Sequence, residues 1–216
     1  MQKVTAIAHP NIAFIKYWGN IDQGLRLPAN GSISMSLGAL ETRTTVSLHP
    51  ELENDELILD GKSQAGAPLE RVSGFLEIVR DLSGSQVHAR VASKNSFPQS
   101  AGIASSASAF AALALAAASA YSLNLSEREL SILARRGSGS AARSIPAGFV
   151  EWYSGKKSLD SFAETIAQPD HWPLWDCIAL VEKEPKKIGS TQGHQLAVTS
   201  PLQSARLAGA KRRLET

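Results

Sequence analysis

An α+β sandwich is the fold this sequence predicts, on three observations. Strand-type runs crowd the first half of the chain and mix with helices afterwards. Ile33, Met35 and Leu37 alternate with Ser32, Ser34 and Ser36, the period of a half-buried strand. Eleven of the twenty residues from Ala101 to Ala120 are alanine, the best helix former, and no charged side chain occurs between Ser100 and Ser126. A doubly wound dinucleotide fold is disfavoured, because no G-x-G-x-x-G follows a strand.

Taken in order, Val4–Ala8 is a β-type run turned by His9-Pro10-Asn11, and Ile12–Trp18 follows before the turn-rich Gly19–Gly24. Residues 32–37 alternate, Thr42–Leu48 has strand propensity, and Glu56–Leu59 before Asp60-Gly61 predicts a strand ending in a hairpin. Leu69, Val72, Leu76 and Val79 have helical spacing, so Pro68–Leu82 reads as a helix; Val87–Val91 alternates again. The alanine helix should run from about Ala104 to Tyr121. Ser126 and Glu129 form a capping box for a helix ending near Arg136. Gly137-Ser138-Gly139-Ser140 reads as a loop, Phe149–Tyr153 and Trp175–Val181 as strands, the latter buried. Gln195–Leu214 reads as one helix, with Arg206, Lys211, Arg212 and Arg213 as its solvated, dipole-favoured end.

A chain of 216 residues holds one domain, or one and part of a second. With 43% hydrophobic and 19% charged residues it is globular in composition, and a net charge of +2 gives no reason to expect nucleic acid as a partner. The single cysteine, Cys177, forms no internal disulfide and suits a reducing, cytoplasmic setting; its apolar surroundings predict burial. Met1–Pro10 lacks a signal peptide's apolar stretch, and the uncharged tract at 100–126 is too rich in alanine and serine for a membrane span.

Several chemistries are excluded. Gly61-Lys62-Ser63 resembles the end of a Walker A loop, but Glu56 stands where its first glycine belongs. The five histidines lack metal-binding spacing, and no G-x-S-x-G marks a hydrolase nucleophile. There remains a small-residue loop at 98–108 entering the alanine helix, where unpaired N–H groups and the macrodipole favour an anion. A second polar loop follows at 137–143, and Lys16, Tyr17 and Trp18 stand near the N-terminus. Those residues also admit a plainer account: serine caps on a core helix, turn serines at 138 and 140, a surface ion pair at Arg143 and a snorkelling lysine at 16.

Asn11-Ile12-Ala13-Phe14-Ile15-Lys16-Tyr17-Trp18-Gly19 resembles the N-terminal signature of the diphosphomevalonate decarboxylase family, within the GHMP kinase superfamily. Leu27–Ser34, Phe97–Ser106, Gly137–Ser144 and Gly189–Gly193 resemble further blocks of that family, in the same order. The resemblance implies a ribosomal protein S5 domain 2-like ATP-binding domain over residues 1–185 and the start of a GHMP C-terminal domain over 186–216. It implies ATP-dependent decarboxylation of 5-phosphorylated mevalonate. The tertiary 3-hydroxyl is phosphorylated, that phosphate leaves, and the carboxylate departs as CO2. ATP, Mg2+ without a nameable protein ligand, and a homodimer are implied with it.

On the same resemblance, Ser93, Asn95, Gln99, Ser100, Ala101, Gly102, Ser105 and Ser106 would hold ATP. Arg143 would clamp the substrate carboxylate, helped by Ser138. Tyr17, Ser140 and Ser190 would meet its phosphate end, with Arg71 as a further contact, and Lys16 would lie near the transferred phosphate or the reacting hydroxyl. Two departures stand out. Asn20 occupies the place of a family lysine, which points to mevalonate 5-phosphate as the substrate. The family's catalytic aspartate belongs to an Asp-x-Gly-Pro-Asn-type loop beyond residue 216, and Asp160, Asp170 and Asp176 have other surroundings. The chain is therefore expected to be a piece of a longer enzyme or a short form without the usual base. A GHMP kinase acting without decarboxylation and an inactive ATP-binding fragment are the alternatives.

Overall fold

The computed structural model describes residues 2–98, 105–179 and 190–215, the side chains of residues 190–192 excepted. Two sheets enclose a layer of helices. The first contains β1 (Lys3–Ala8), β6 (Thr42–Leu48), β9 (Ala89–Asn95), β7 (Glu56–Leu59) and β8 (Lys62–Gln64) in that spatial order. All its pairings are antiparallel except β7 with β9. The second contains β11 (Ala163–Ala167), β10 (Phe149–Trp152), β5 (Ser32–Ser36) and β2 (Asn11–Ile15), antiparallel throughout. A short hairpin of β3 (Asn20–Asp22) and β4 (Leu27–Pro28) stands apart.

Helix α2 (Ser105–Ala120) lies between the sheets, against β1 and β6 on one side and α3 (Glu127–Gly137) on the other. It carries no charged residue, and most of its positions are buried, as suits an interior helix, with Ser119 the one exposed position. Ala111, Ala112, Ala114, Ala116 and Ala117 are wholly inaccessible, because methyl groups let both neighbouring layers close on the helix. Helix α1 (Ala67–Ser83) covers the same sheet with Phe75, Leu76 and Val79 and ends on Gly84 in the left-handed conformation. The predicted capping box closes the start of α3: Ser126 Oγ accepts from the Glu129 N–H, and Glu129 accepts from the Ser126 N–H.

The structure departs from the sequence reading in several places. Residues Gly139–Ser144 of the second loop form a 3-10 helix packed on α2 and α3. The stretch Trp175–Ile178 is irregular, Trp175 is 96% exposed and Cys177 is exposed, so an apolar run here neither forms a strand nor enters the core; the rest of that run lies outside the described residues. The C-terminal helix is two, α4 (Ser190–Leu196) and α5 (Gln203–Leu214). Pro201 cannot donate to a helical ladder and holds Ser200 extended. Arg206 is no solvated helix end: its guanidinium donates to the Trp18 carbonyl at 2.6 Å and to Asn30 Oδ1 at 2.9 Å. Among the described residues no helix is long and apolar enough to cross a membrane.

Candidate active site

Two cavities meet at Ser106. The smaller, about 230 Å³, is walled by Leu57, Leu59, Pro68 and Val72 and edged by Ser93, Asn95, Ser105 and Ser106. Its polar edge is fixed from behind. Thr44 and Ser93 share a hydroxyl contact of 2.8 Å, and Thr42 donates to Asn95 Oδ1 at 2.6 Å, which leaves the Asn95 NH2 as a donor. Arg71 stands in this cavity and not with the other expected substrate contacts. Its Nη2 donates to the Gly137 carbonyl at 2.9 Å, and its guanidinium lies 4.5 Å from the centre of the Phe110 ring. Burial, aided by the charge of Arg26, pulls the Arg71 pKa down to about 10.

The larger cavity, about 550 Å³, lies where β2, the residues that follow it and the 3-10 helix converge. It brings together Lys16, Tyr17, Ser138, Ser140 and Arg143. Arg143 extends from the 3-10 helix into the sheet. It donates to Asn11 Oδ1 at 3.3 and 3.1 Å and to Ser32 Oγ at 2.5 Å, while its guanidinium faces the Trp152 ring at 5.7 Å. Asn11 is oriented in turn by Nδ2, which donates to the Ser140 carbonyl and to Ser144 Oγ. Burial pulls the Arg143 pKa down to about 10, and no described residue lining the cavity is a carboxylate. Lys16 is also lowered, by burial first and then by the charge of Arg143, with Asp176 opposing.

The Tyr17 phenol rests on Gly139, where any Cβ would meet its Oη at 2.8 Å. It donates to Asn20 Oδ1 at 2.5 Å, and burial pushes its pKa up to about 12, so it is a hydrogen-bond donor and not an anion. Asn20 Nδ2 donates to Gln23, so its carboxamide is held on both sides. The Ser106 and Ser138 hydroxyls stand 3.3 Å apart and join the two cavities. Gln99, Ser100, Ala101 and Gly102 lie outside the described residues, as does the Ser190 side chain.

Four residues of the larger cavity escaped the sequence reading of individual side chains: Asn11, Arg26, His194 and Arg206. Asn11 opens the first motif and was there to be found. His194 directly follows the Gly189–Gly193 block; its ring stacks on Tyr17 at 4.2 Å and its Nδ1 accepts the Gly19 N–H at 2.9 Å. Arg26 and Arg206 carry no local signal.

Comparison with known proteins decides the family. Residues 8–163 match the family described as diphosphomevalonate decarboxylase-like N-terminal domain. The chain belongs to this family. The diphosphomevalonate decarboxylase of Aspergillus fumigatus is 42% identical over 227 residues, covering 95% of this chain and 56% of that protein. The human diphosphomevalonate decarboxylase is 41% identical over 220 residues, covering 92% and 54%. The chain thus spans about half the length of the curated relatives it matches. A solved structure, MDDEF in complex with MVAPP, AMPPCP and magnesium, superposes with a TM-score of 0.90 at 39% identity, over 99% of this chain and 66% of that one. The family fold, that of the GHMP kinases, is therefore the fold of this chain.

Proposed function

We propose that this chain carries the nucleotide-phosphate and substrate cavities of an ATP-dependent decarboxylase acting on mevalonate 5-diphosphate. The observation that carries the reading is the meeting of the two cavities at Ser106. One has apolar walls with a hydroxyl and amide edge at the start of α2; the other is lined by cations and by no described carboxylate. A phosphoryl donor in the first and an acceptor bearing a carboxylate and a phosphate in the second would face each other there.

The residues fit that pair of ligands. The Ser105 and Ser106 hydroxyls and the Asn95 amide suit nucleotide phosphate oxygens beside a helix N-terminus. Among the described residues no cluster of three or more His, Cys, Asp and Glu could hold a metal ion. Magnesium, which is bound largely through substrate phosphates and water, would arrive with the nucleotide and neutralise the transferred phosphate. Arg143, fixed by Asn11 and Ser32, suits a carboxylate by its planar fork, with Ser138 beside it. Tyr17 and Ser140 would meet the phosphate end, and Lys16 would attract the hydroxyl as it reacts. Orientation would then supply much of the rate, because the carbon–carbon bond to the carboxylate, whose electrons form the new double bond, must be aligned with the carbon–oxygen bond that breaks as the new phosphate leaves.

A second reading replaces the diphosphate by mevalonate 5-phosphate; the neutral Asn20 beside Tyr17 favours it. The test is ATP-dependent CO2 release from both substrates in parallel. Release from the diphosphate with the higher kcat/KM is expected. Preference for the monophosphate moves the assignment to the second reading. ATP turnover to a 3-phosphorylated product without CO2 overturns decarboxylation in favour of a kinase, and ATP binding without turnover leaves the chain a nucleotide-binding piece.

A further inference from the structure

Two cations of the larger cavity, Arg26 and Arg206, have no role in the assignment above. Arg26 sits in the turn between β3 and β4 with φ at 50, a left-handed backbone that few non-glycine side chains adopt. Its Nε donates to the Arg136 carbonyl at 2.9 Å, which anchors the base of the guanidinium. Among the described residues its two Nη groups make no hydrogen bond or ion pair, and the side chain lines the cavity with Tyr17, Ser106 and Ser138. Its neighbours differ in this respect. Each terminal nitrogen of Arg143 already donates once, to Asn11 or Ser32, and keeps one further hydrogen, while Arg206 donates to Trp18 and Asn30. Asn20, on the facing strand of the hairpin, is neutral and already holds Tyr17 and Gln23.

Four cations brought from separate parts of the chain line the cavity: Lys16 after β2, Arg26 in the β3–β4 turn, Arg143 in the 3-10 helix and Arg206 in α5. Arg26 is the strongest charge acting on Tyr17 and on His194, with Arg143 acting on both as well. A ligand that carries more than one anionic group fits such a lining. A guanidinium with both terminal nitrogens free offers paired donors to a phosphoryl group, where an ammonium would offer only a point charge.

We infer that Arg26 binds the terminal phosphoryl group of the substrate's 5-diphosphate and makes this chain select the diphosphate over the monophosphate. The inference rests on the proposed reading of the cavity as a site for phosphorylated mevalonate. It is tested by titration calorimetry of mevalonate 5-diphosphate and mevalonate 5-phosphate against the full chain, Arg26→Gln and Arg26→Lys. Glutamine keeps a Cβ, so the backbone strain at residue 26 is unchanged and only the charge and donors are lost. Arg26→Gln should weaken the diphosphate at least ~10-fold and the monophosphate less than ~3-fold, with Arg26→Lys recovering part of the loss. A melting temperature equal to the parent's separates a lost ligand contact from a lost fold. Equal weakening of both ligands, or of neither, overturns the inference. Binding of neither ligand to the parent chain defeats the broader reading instead, and inorganic pyrophosphate against inorganic phosphate then decides for Arg26. Loss of a pyrophosphate preference in Arg26→Gln retains it; an unchanged preference, or none in the parent, overturns it.

Discussion

Arg80 and Arg143 are 7% and 4% exposed, yet their surroundings could hardly differ more. Arg80, in α1, meets the carboxylate of Asp55 through one nitrogen at 3.0 and 3.2 Å. Asp55 also accepts the Ala89 N–H at 2.9 Å, and so ties α1 to the start of β9. Burial alone would lower the Arg80 pKa, but hydrogen bonding to Tyr121 and the charge of Asp55 outweigh it, and the net shift is upward. Among the described residues the Arg143 guanidinium hydrogen-bonds only to the neutral Asn11 and Ser32, and burial takes its pKa down to about 10. A buried cation with its anion supplied by the chain is part of the framework. A buried cation that meets only amides and hydroxyls at the wall of a cavity has room for an anion from outside.

Exchanging each arginine's role tests that distinction. Arg143→Gln should weaken binding of mevalonate 5-diphosphate by about a thousandfold, since a buried charged hydrogen bond to a ligand is worth roughly 2–5 kcal/mol. Its stability in urea should change by less than about 1 kcal/mol, because the substitution also removes an unpaired buried charge. A loss of stability as large as the loss of binding would erase the distinction. Asp55→Asn should do the reverse: a loss of about 3 kcal/mol of stability, from stranding the Arg80 charge, with the same ligand affinity at temperatures where the variant is folded. A ligand affinity that falls with Asp55→Asn in folded protein would show the two regions to be coupled.

The framework was far more legible in the sequence than the cavity. Helix α3 announced itself by Ser126 and Glu129, and α2 by alanine content, because capping and propensity are local properties. The strand β11 was missed. Its five residues alternate only shallowly, with Glu164 and Ile166 both exposed, and its place is set by pairing with β10. Gly139–Ser144 reads locally as a loop and becomes helical through packing on α2 and α3. Trp175 failed in the opposite sense, since an apolar letter does not guarantee a neighbour. Among site residues, Lys16, Tyr17, Ser138, Ser140 and Arg143 stand in motifs and converge on one cavity, whereas Arg71 faces the other. Arg26 and Arg206 were invisible because one depends on a left-handed turn and the other on how α5 docks against β2 and β5.

His194 offers the smallest effect and the finest probe of the cationic side. Its Nδ1 accepts the Gly19 N–H, so a proton there would remove a hydrogen bond, and the neutral ring carries its hydrogen on Nε2. Burial first, then the charges of Arg26, Arg206 and Arg143, hold its pKa down to about 4 against 6.5 for a free ring. The folded chain therefore binds fewer protons here than the unfolded chain between those two values. Stability contributed by the neutral ring is present above the unfolded pKa and is lost as pH falls through that window. A shift of this size on a fully buried ring would be worth about 3 kcal/mol, and solvent around a half-buried one reduces it to about 1 kcal/mol. Urea midpoints from pH 7.5 down to 4.5 should fall more steeply for the parent chain than for His194→Gln. A polyanion in the cavity should shrink the difference, because it offsets the same arginines and lets the ring protonate nearer its ordinary pKa. If the two proteins lose stability in parallel, the charges around His194 are already screened by solvent, and the cavity has a weaker claim on a doubly anionic ligand.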